Sequence, residues 1–532
     1  MRARGPEPIA FEDGSLMGRN ILFITTDQQR YDSLGCNGGT IARTPIADRL
    51  AATGINYRRA HNQNAVCMPA RATMVTGQYV RTHGVIANGV ALPPDAPSVA
   101  AYLHEKAGYR TALLGKAHFE PGLDIGGRWF ENRMAGEHST GPYRGFERME
   151  LAMHVPMGGW HYSLWLQNNH PGEVGGFAPL LSGLPGGDTG APEVKYNPIP
   201  REHYHTDWVA DRTIAFLNSL DPDENWFVWM SFPDPHHPWD PPATEARRIN
   251  WRDLDLPPGY PGSREKIEKI LAQKPRHWLD WYEGRFRNYE GGPTSFVPCA
   301  MTPDQLREVS AMIHIENELI DQACGRVIRR VEERGWSDST DVFFTTDHGE
   351  LQGDFGLLFK GPYHVDALMR LPLIWRPAPS AKIAPAEIAE PVGQLDLGPT
   401  FCQIAGVPVP PWMQGKPLPI APGSDRQRVL TEWDSQFAQI GMHLRSIYRD
   451  GYTLTVYEKS TRDYGFDINN VPQIFRGNSE VLDIRYDGTE GELYNLNEDP
   501  LQWRNLWNDP GYAKLKSDLI ADLYDNLPPP RD

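Results

Sequence analysis

The sequence predicts an α/β protein: a large, mixed but mostly parallel sheet sandwiched by helices, then a small C-terminal α+β module with an antiparallel sheet. Three observations lead there. Two short, apolar, β-branched runs, Asn20–Thr26 (NILFITT) and Asp341–Thr346 (DVFFTT), read as buried parallel strands. Amphipathic stretches with helix start and stop signals lie between such runs. From about Arg428 the pattern changes to short strands, Arg445–Tyr448, Tyr452–Tyr457 and Glu492–Leu496. The expected division is a main domain over 1–425, with insertions about 119–205 and 242–300, and a C-terminal subdomain over 426–532.

In chain order, Asn20–Thr26 runs into Asp27-Gln28, the place where open α/β sheets gather ligand chemistry. Arg43–Gly54 is an amphipathic helix ending in glycine. Cys67-Met68-Pro69-Ala70-Arg71 places a cysteine at the mouth of a helix: Pro69 suits the first turn and Gly77 the stop. Exposed N–H groups there favour anions, and Arg71, one turn on, shares the face of Cys67. Ser98–Gly108 is a helix, and Arg110–Leu114 a strand ending in Gly115-Lys116-Ala117-His118. Phe119–His205 shows no clear periodicity, although Trp160, His161, Trp165, His203 and His205, with Trp239 beyond, give it aromatic and imidazole surfaces. Asp207–Leu220 is helical. Trp226–Phe232 is a strand that ends in Pro235-His236-His237-Pro238. A short helix is expected over Arg264–Gln273 and a long one over Thr302–Gly335, opened by a Thr-Pro cap. Asp341–Thr346 ends in Asp347-His348. Side by side with Asn20–Thr26, it would bring two carboxylates and two neutral donors together, and a divalent cation would relieve their repulsion.

Composition narrows the function. With 532 residues and 40% hydrophobic content the chain is globular, and a net charge of −16 argues against nucleic acid as a partner. Five cysteines, odd in number and without a CxxC, indicate neither a disulfide framework nor a zinc ribbon. No apolar run has the length of a membrane helix, and Met1–Asn20 lacks the apolar core of a signal peptide. A cytoplasmic protein without membrane partners is expected.

The Cys67–Arg71 pentad with Ala72-Thr73-Met74-Val75-Thr76-Gly77 resembles the signature of type I sulfatases, in the alkaline phosphatase superfamily. Gly115-Lys116-Ala117-His118 resembles the second signature of that family, and Thr44, Pro45, Asp48, Leu50, Asp321, Gly325, Asp396–Thr400, Gln414-Gly415 and Glu492–Leu496 match further landmarks. The resemblance runs from Asn20 to about Leu506. It implies an alkaline phosphatase-like fold and oxidation of Cys67 to formylglycine, whose hydrated gem-diol attacks sulfur and forms a sulfoenzyme. It implies one divalent metal on Asp27, Gln28, Asp347, His348 and residue 67, as Ca²⁺ or Mn²⁺ ahead of Mg²⁺. Arg71 and Lys116 would hold the nucleophile, His118 would take the proton that expels sulfate, and Lys360 and His236 would bind the substrate and assist the leaving oxygen. Asn88 could add a neutral donor to the substrate. Of the adjacent histidines, His236 fits the family's Pro-His-x-Pro and His237 is the bystander. The implied partners are a small anionic sulfate ester and a formylglycine-generating enzyme, and a homo-oligomer is compatible with the sequence. The Asp-Gln and Asp-His pairs look more like those of phosphonate monoester hydrolases and choline sulfatases, which leaves the ion open. Sulfate-ester hydrolysis is the first reading because the Lys116–His118 signature is intact. A phosphonate monoester or phosphodiester hydrolase with the same nucleophile is the alternative, and a sulfatase-like binding protein with unmodified Cys67 is the third.

Overall fold

The two apolar runs that end in Thr-Thr-Asp are neighbouring parallel strands in register, Thr25 opposite Thr345 and Thr26 opposite Thr346. The structure is a computed structural model. It describes residues 18–530 except 123–126, 157, 178–179, 181–185, 289, 291, 294–295, 436, 438–439 and 460–482. Most of the N-terminal segment behind the localisation expectation therefore lies outside the described residues.

The main sheet has eight strands: β1 (Asn20–Thr26), β2 (Ile55–Tyr57), β3 (Arg110–Gly115), β4 (Arg148–Leu151), β5 (Trp226–Ser231), β6 (Thr340–Thr346), β7 (Leu373–Arg376) and β8 (Ala386–Ile388). Their order is β8-β2-β7-β6-β1-β5-β3-β4, and β7 alone among them runs antiparallel to both of its neighbours. All seven residues of β1 are buried. Ile21 and Phe23 join the apolar core on one face of the sheet, and Leu22 and Ile24 the core on the other. That two-sided burial is why the run is continuously apolar instead of alternating.

The expected helices form at Pro45–Ala52, Cys67–Thr76, Val99–Ala107, His205–Ser219, Arg264–Leu271 and Pro303–Glu333. Their ends follow side-chain chemistry. Ser98 accepts from the Ala101 N–H, and Thr302 and Gln305 form a reciprocal capping box at the longest helix, each such cap contributing on the order of 1 kcal/mol. Gly77 ends the Cys67–Thr76 helix at φ 68°, in the left-handed region.

The segment 119–205 differs from the aperiodic reading. It supplies edge strand β4 and the helices Phe130–Arg133, His161–Asn169 and Pro171–Phe177. Strand β4 (RMEL) spans four residues, and its Arg148 pairs with Glu150 on the same strand. An edge position needs only one apolar face, so no run marks it. Inside 242–300 a helix, His277–Tyr282, was likewise unmarked.

Beyond residue 427 a four-stranded antiparallel sheet forms: β9 (Arg428–Asp434), β10 (His443–Arg449), β11 (Tyr452–Glu458) and β12 (Gly491–Asn495). Asp450 and Gly451, both at positive φ (54° and 82°), make the two-residue turn between β10 and β11. The helix Ala513–Asn526 covers one face through Leu519 and Leu523. Among the described residues no helix is long and apolar enough to cross a membrane, and all five cysteines are free thiols.

Candidate active site

Four adjacent strands, in the order β6-β1-β5-β3, deliver side chains from their C-terminal ends into one crevice. β6 supplies Asp347 and His348, β1 supplies Asp27 and Gln28, β5 leads to His236 and His237, and β3 leads to Lys116 and His118. The Cys67–Thr76 helix points its first residue at the same place. Close approach is needed where β3 ends: a Cβ on Gly115, at φ 109°, would lie 1.8 Å from the Ser231 carbonyl oxygen. Glycine lets the Lys116 N–H reach that carbonyl at 2.8 Å.

Ligand atoms of Asp27, Cys67, Asp347 and His348 lie within 4.8 Å of one another, and all four residues are buried. His348 Nε2 is 3.1 Å from Cys67 Sγ, 3.7 Å from Asp27 Oδ1 and 3.8 Å from Asp347 Oδ1. The other ring nitrogen, Nδ1, is 2.9 Å from the Gly349 carbonyl oxygen. A carbonyl only accepts, so Nδ1 carries the proton and Nε2 turns a lone pair to the centre. Each aspartate divides its oxygens. Asp27 Oδ2 meets Lys116 Nζ and Arg71 Nη2, the latter at 3.2 Å, and Asp347 Oδ2 meets Arg71 Nε at 2.8 Å. The Oδ1 atoms face inward, that of Asp347 also accepting from the Gln28 and His348 N–H groups. Two buried carboxylate oxygens and an imidazole lone pair form a donor set suited to a divalent cation.

Charge sets the protonation of this floor. Burial alone would raise the Asp27 carboxyl, but Lys116 and Arg71 override it and hold it well below the usual carboxylate range. Burial, aided by Asp27, pushes the Cys67 thiol up to about 12.

Around the floor stand two lysine–histidine pairs. Lys116 Nζ donates to His154 Nε2 at 2.8 Å, and Lys360 Nζ donates to His236 Nε2 at 2.7 Å and to Gln28 Oε1 at 2.8 Å. His154, His236 and His237 stack in series, with ring centroids 3.9 and 4.0 Å apart. Burial comes first in holding all three neutral, reinforced by Lys116 at His154, by His154 and Lys360 at His236, and by Lys360 at His237. His118 is half-buried, its Nδ1 without a hydrogen-bond partner among the described residues, and burial with Lys116 and Arg71 lowers its pKa well below the ordinary value. Gln28 and His118 both adopt positive φ (67° and 58°), strain of roughly 1 kcal/mol or more that clusters at functional sites.

The side chains singled out for catalysis and metal binding thus lie in or beside the crevice, with two refinements. Asn88 spends its Oδ1 on the Met68 N–H, 3.1 Å away, and so caps the helix that presents residue 67. His237 also belongs to the site: its Nδ1 is 3.2 Å from Gln28 Nε2, and its ring packs on Phe359. Of the aromatic and imidazole residues noted in the insertion, His203 faces Glu173 and His205 binds Asp234. Sequence reasoning missed His154, Ser231, whose Oγ accepts from Arg71 at 2.8 Å, and Glu350, which binds the Gln28 amide. His154 follows the unmarked strand β4, so only that strand could have revealed it. Glu350, two residues past His348, was within reach of the same strand-end argument.

Known proteins resemble this chain over most of its length. The family model described as Sulfatase matches residues 19–128 and 154–407. An arylsulfatase of Clostridium perfringens is 27% identical over 518 residues, covering 95% of this chain and 95% of that protein. A sulfatase described as uncharacterized, YidJ of Escherichia coli K12, is 26% identical over 519 residues, covering 96% and 88%. The crystal structure of a phosphonate monoester hydrolase of Agrobacterium radiobacter shares the fold, with a TM-score of 0.71 at 21% identity over 96% of this chain and 95% of that one. With more than half its length matched by one family model, and with a strand-end crevice that gathers the residues of the family signatures, the chain belongs to the sulfatase family of the alkaline phosphatase superfamily.

Proposed function

We propose that this protein hydrolyses sulfate monoesters of the arylsulfatase type, with residue 67 as nucleophile after oxidation of Cys67 to formylglycine by a formylglycine-generating enzyme. The observation that carries the reading is the convergence of residue 67, Asp27, Asp347 and His348 under three cationic side chains, Arg71, Lys116 and Lys360. Asp27, Asp347 and His348 would hold the ion, with Gln28 beside them, and Ca²⁺ or Mn²⁺ fits the oxygen-rich set. Such an ion supplies Lewis acidity and lowers the pKa of a hydroxyl nucleophile.

The chain's own groups divide the remaining work. Arg71 reaches both aspartates and the Ser231 hydroxyl, so it fixes the floor on which residue 67 sits. Lys116, against Asp27 and His154, adds positive potential where a sulfuryl oxygen would bind. Fixed cations aimed at developing charge are the large term in such sites. His118, held neutral by its surroundings, is fit to accept a proton from residue 67 when sulfate leaves. Lys360 and His236 share one hydrogen bond and stand ready to bind the substrate oxyanion and protonate the leaving oxygen. We place this machinery in a catalytic domain over 1–425 and assign 426–532 to a subdomain that supports it.

The test is kcat/KM for an aryl sulfate against an aryl phosphonate monoester with the same leaving group. Preference for the sulfate is expected. A wide margin for the phosphonate would transfer the assignment to a phosphonate monoester or phosphodiester hydrolase with the same nucleophile.

A further inference from the structure

A second group of metal-ligating side chains lies in the insertion between β4 and β5. His170 follows the His161–Asn169 helix, Glu173 sits in the Pro171–Phe177 helix, and His203 ends the turn Arg201–His203. Among the described residues, these three and the Asp27 group are the places where ligand atoms of at least three histidine, cysteine or acidic side chains all lie within 4.8 Å of one another. We propose that His170, Glu173 and His203 form a second metal site, distinct from the catalytic one, that takes a borderline divalent ion of the Zn²⁺ class.

The geometry is that of a site with three protein ligands. His203 Nδ1 lies 2.9 and 3.1 Å from the two oxygens of Glu173, and His170 Nδ1 lies 3.8 Å from Oε1. Zn–N and Zn–O bonds of about 2.0 Å in a tetrahedron put ligand atoms about 3.3 Å apart, between those separations. The two imidazole rings stack with centroids 3.7 Å apart and present nitrogens to the same carboxylate. Trp165 packs against both rings, 5.2 Å from His170 and 5.9 Å from His203, and the Tyr162 hydroxyl donates to the His203 carbonyl at 3.0 Å. The ligands are therefore held from behind. Their side chains keep 23–27% exposure, which leaves an ion a way in and a fourth position for water. Two imidazoles and one carboxylate select a borderline ion over the harder ion expected on the aspartates. Bound there, the ion would tie the 170–177 segment to the turn that opens the His205–Ser219 helix.

The experiment is equilibrium dialysis of the full-length protein against Zn²⁺, with elemental analysis per chain, on wild type, His170→Ala, Glu173→Gln, His203→Ala and Asp347→Asn. One Zn²⁺ equivalent is expected to be lost in both histidine variants, to bind at least about tenfold more weakly in Glu173→Gln, and to persist in Asp347→Asn. With Co²⁺ as probe, the visible absorption of a four-coordinate site should vanish in the same variants. An equal metal count and spectrum in wild type and His170→Ala would show that the cluster is a hydrogen-bonded pair with a stacked ring, and would overturn the proposal. So would loss of the equivalent only in Asp347→Asn. If His203→Ala fails to fold, His170→Ala, altered at a partly exposed ring, carries the decision.

Discussion

A thiol buried as completely as Cys67, with a carboxylate beside it, stays protonated at neutral pH, and so is a poor nucleophile as encoded. Oxidation to an aldehyde removes that obstacle, because a hydrated aldehyde presents hydroxyls in place of the thiol. Peptide mass spectrometry of active protein should therefore find residue 67 without its sulfur; an intact thiol in fully active enzyme would sink the mechanism. Asp347 tests the metal at the same scale. Asp347→Asn keeps the volume but removes the charge facing Arg71 and the shared centre. Metal content and aryl sulfatase activity should fall together, by at least about tenfold at limiting metal. Chelation of the wild type should abolish activity, and the ion that restores it, Ca²⁺ or Mn²⁺, identifies the occupant. Activity that survives complete chelation would refute the assignment.

At the scale of elements, what was legible depended on burial pattern. β1 and β6 were readable because both of their faces are buried, leaving unbroken apolar runs whose ends point straight to Asp27, Gln28, Asp347 and His348. The Cys67 helix was readable from Pro69, Arg71 and Gly77. β4 was not, since a four-residue edge strand with two charged side chains carries no such run, and His154 went unseen with it. Nor could side-chain partners be read: nothing in Asn88 announces that it caps Met68, and nothing in the His236-His237 pair announces a stack of three rings. The short helix Phe130–Arg133 reaches the residue after His118 through Glu131, whose Oε1 accepts from the Phe119 N–H. Burial, with Glu120 adding, raises the Glu131 carboxyl to about 8. The folded value thus lies above the unfolded one of about 4.3. Its contribution to stability is fully present below the unfolded value and is lost as pH rises through the folded one. The free energy of unfolding should fall between about pH 4 and about pH 8 by up to a few kcal/mol and level off above that, and Glu131→Gln should flatten the decline. An identical decline in the variant would show that other groups carry it.

The eight-stranded and four-stranded sheets are joined a few residues before Cys67. The β9 backbone meets the loop that leads into the Cys67 helix: the Glu432 N–H donates to the Gln63 carbonyl at 2.8 Å, and the Thr431 hydroxyl donates to the Asn62 carbonyl at 2.7 Å. The Gln63 side chain answers by donating to the Leu430 carbonyl at 3.3 Å and accepting from the Leu395 N–H at 3.1 Å. The Glu432 carboxylate, fully buried, accepts from Arg81 Nε at 2.5 Å and lies 3.6 Å from Arg445 Nε. Arg81 belongs to the helix after Cys67–Thr76, and Arg445, which also meets Asp434 at 2.7 Å and Glu458 at 3.1 Å, belongs to β10. The Glu432 carboxylate thus faces a cation from each side of the junction and is the near partner of Arg81. Removing a single partner from a buried ion pair costs roughly 3–5 kcal/mol, because the other charge stays behind unpaired. Glu432→Ala should therefore lower the thermal midpoint. If the junction shapes the loop before Cys67, activity and secondary structure will be lost over the same temperature range, in the variant as in the wild type. The comparison is a thermal scan by circular dichroism beside residual aryl sulfatase activity. A variant whose C-terminal sheet melts first while activity persists would show that the catalytic part stands without it, and that the contacts at Asn62 and Gln63 do not support the site.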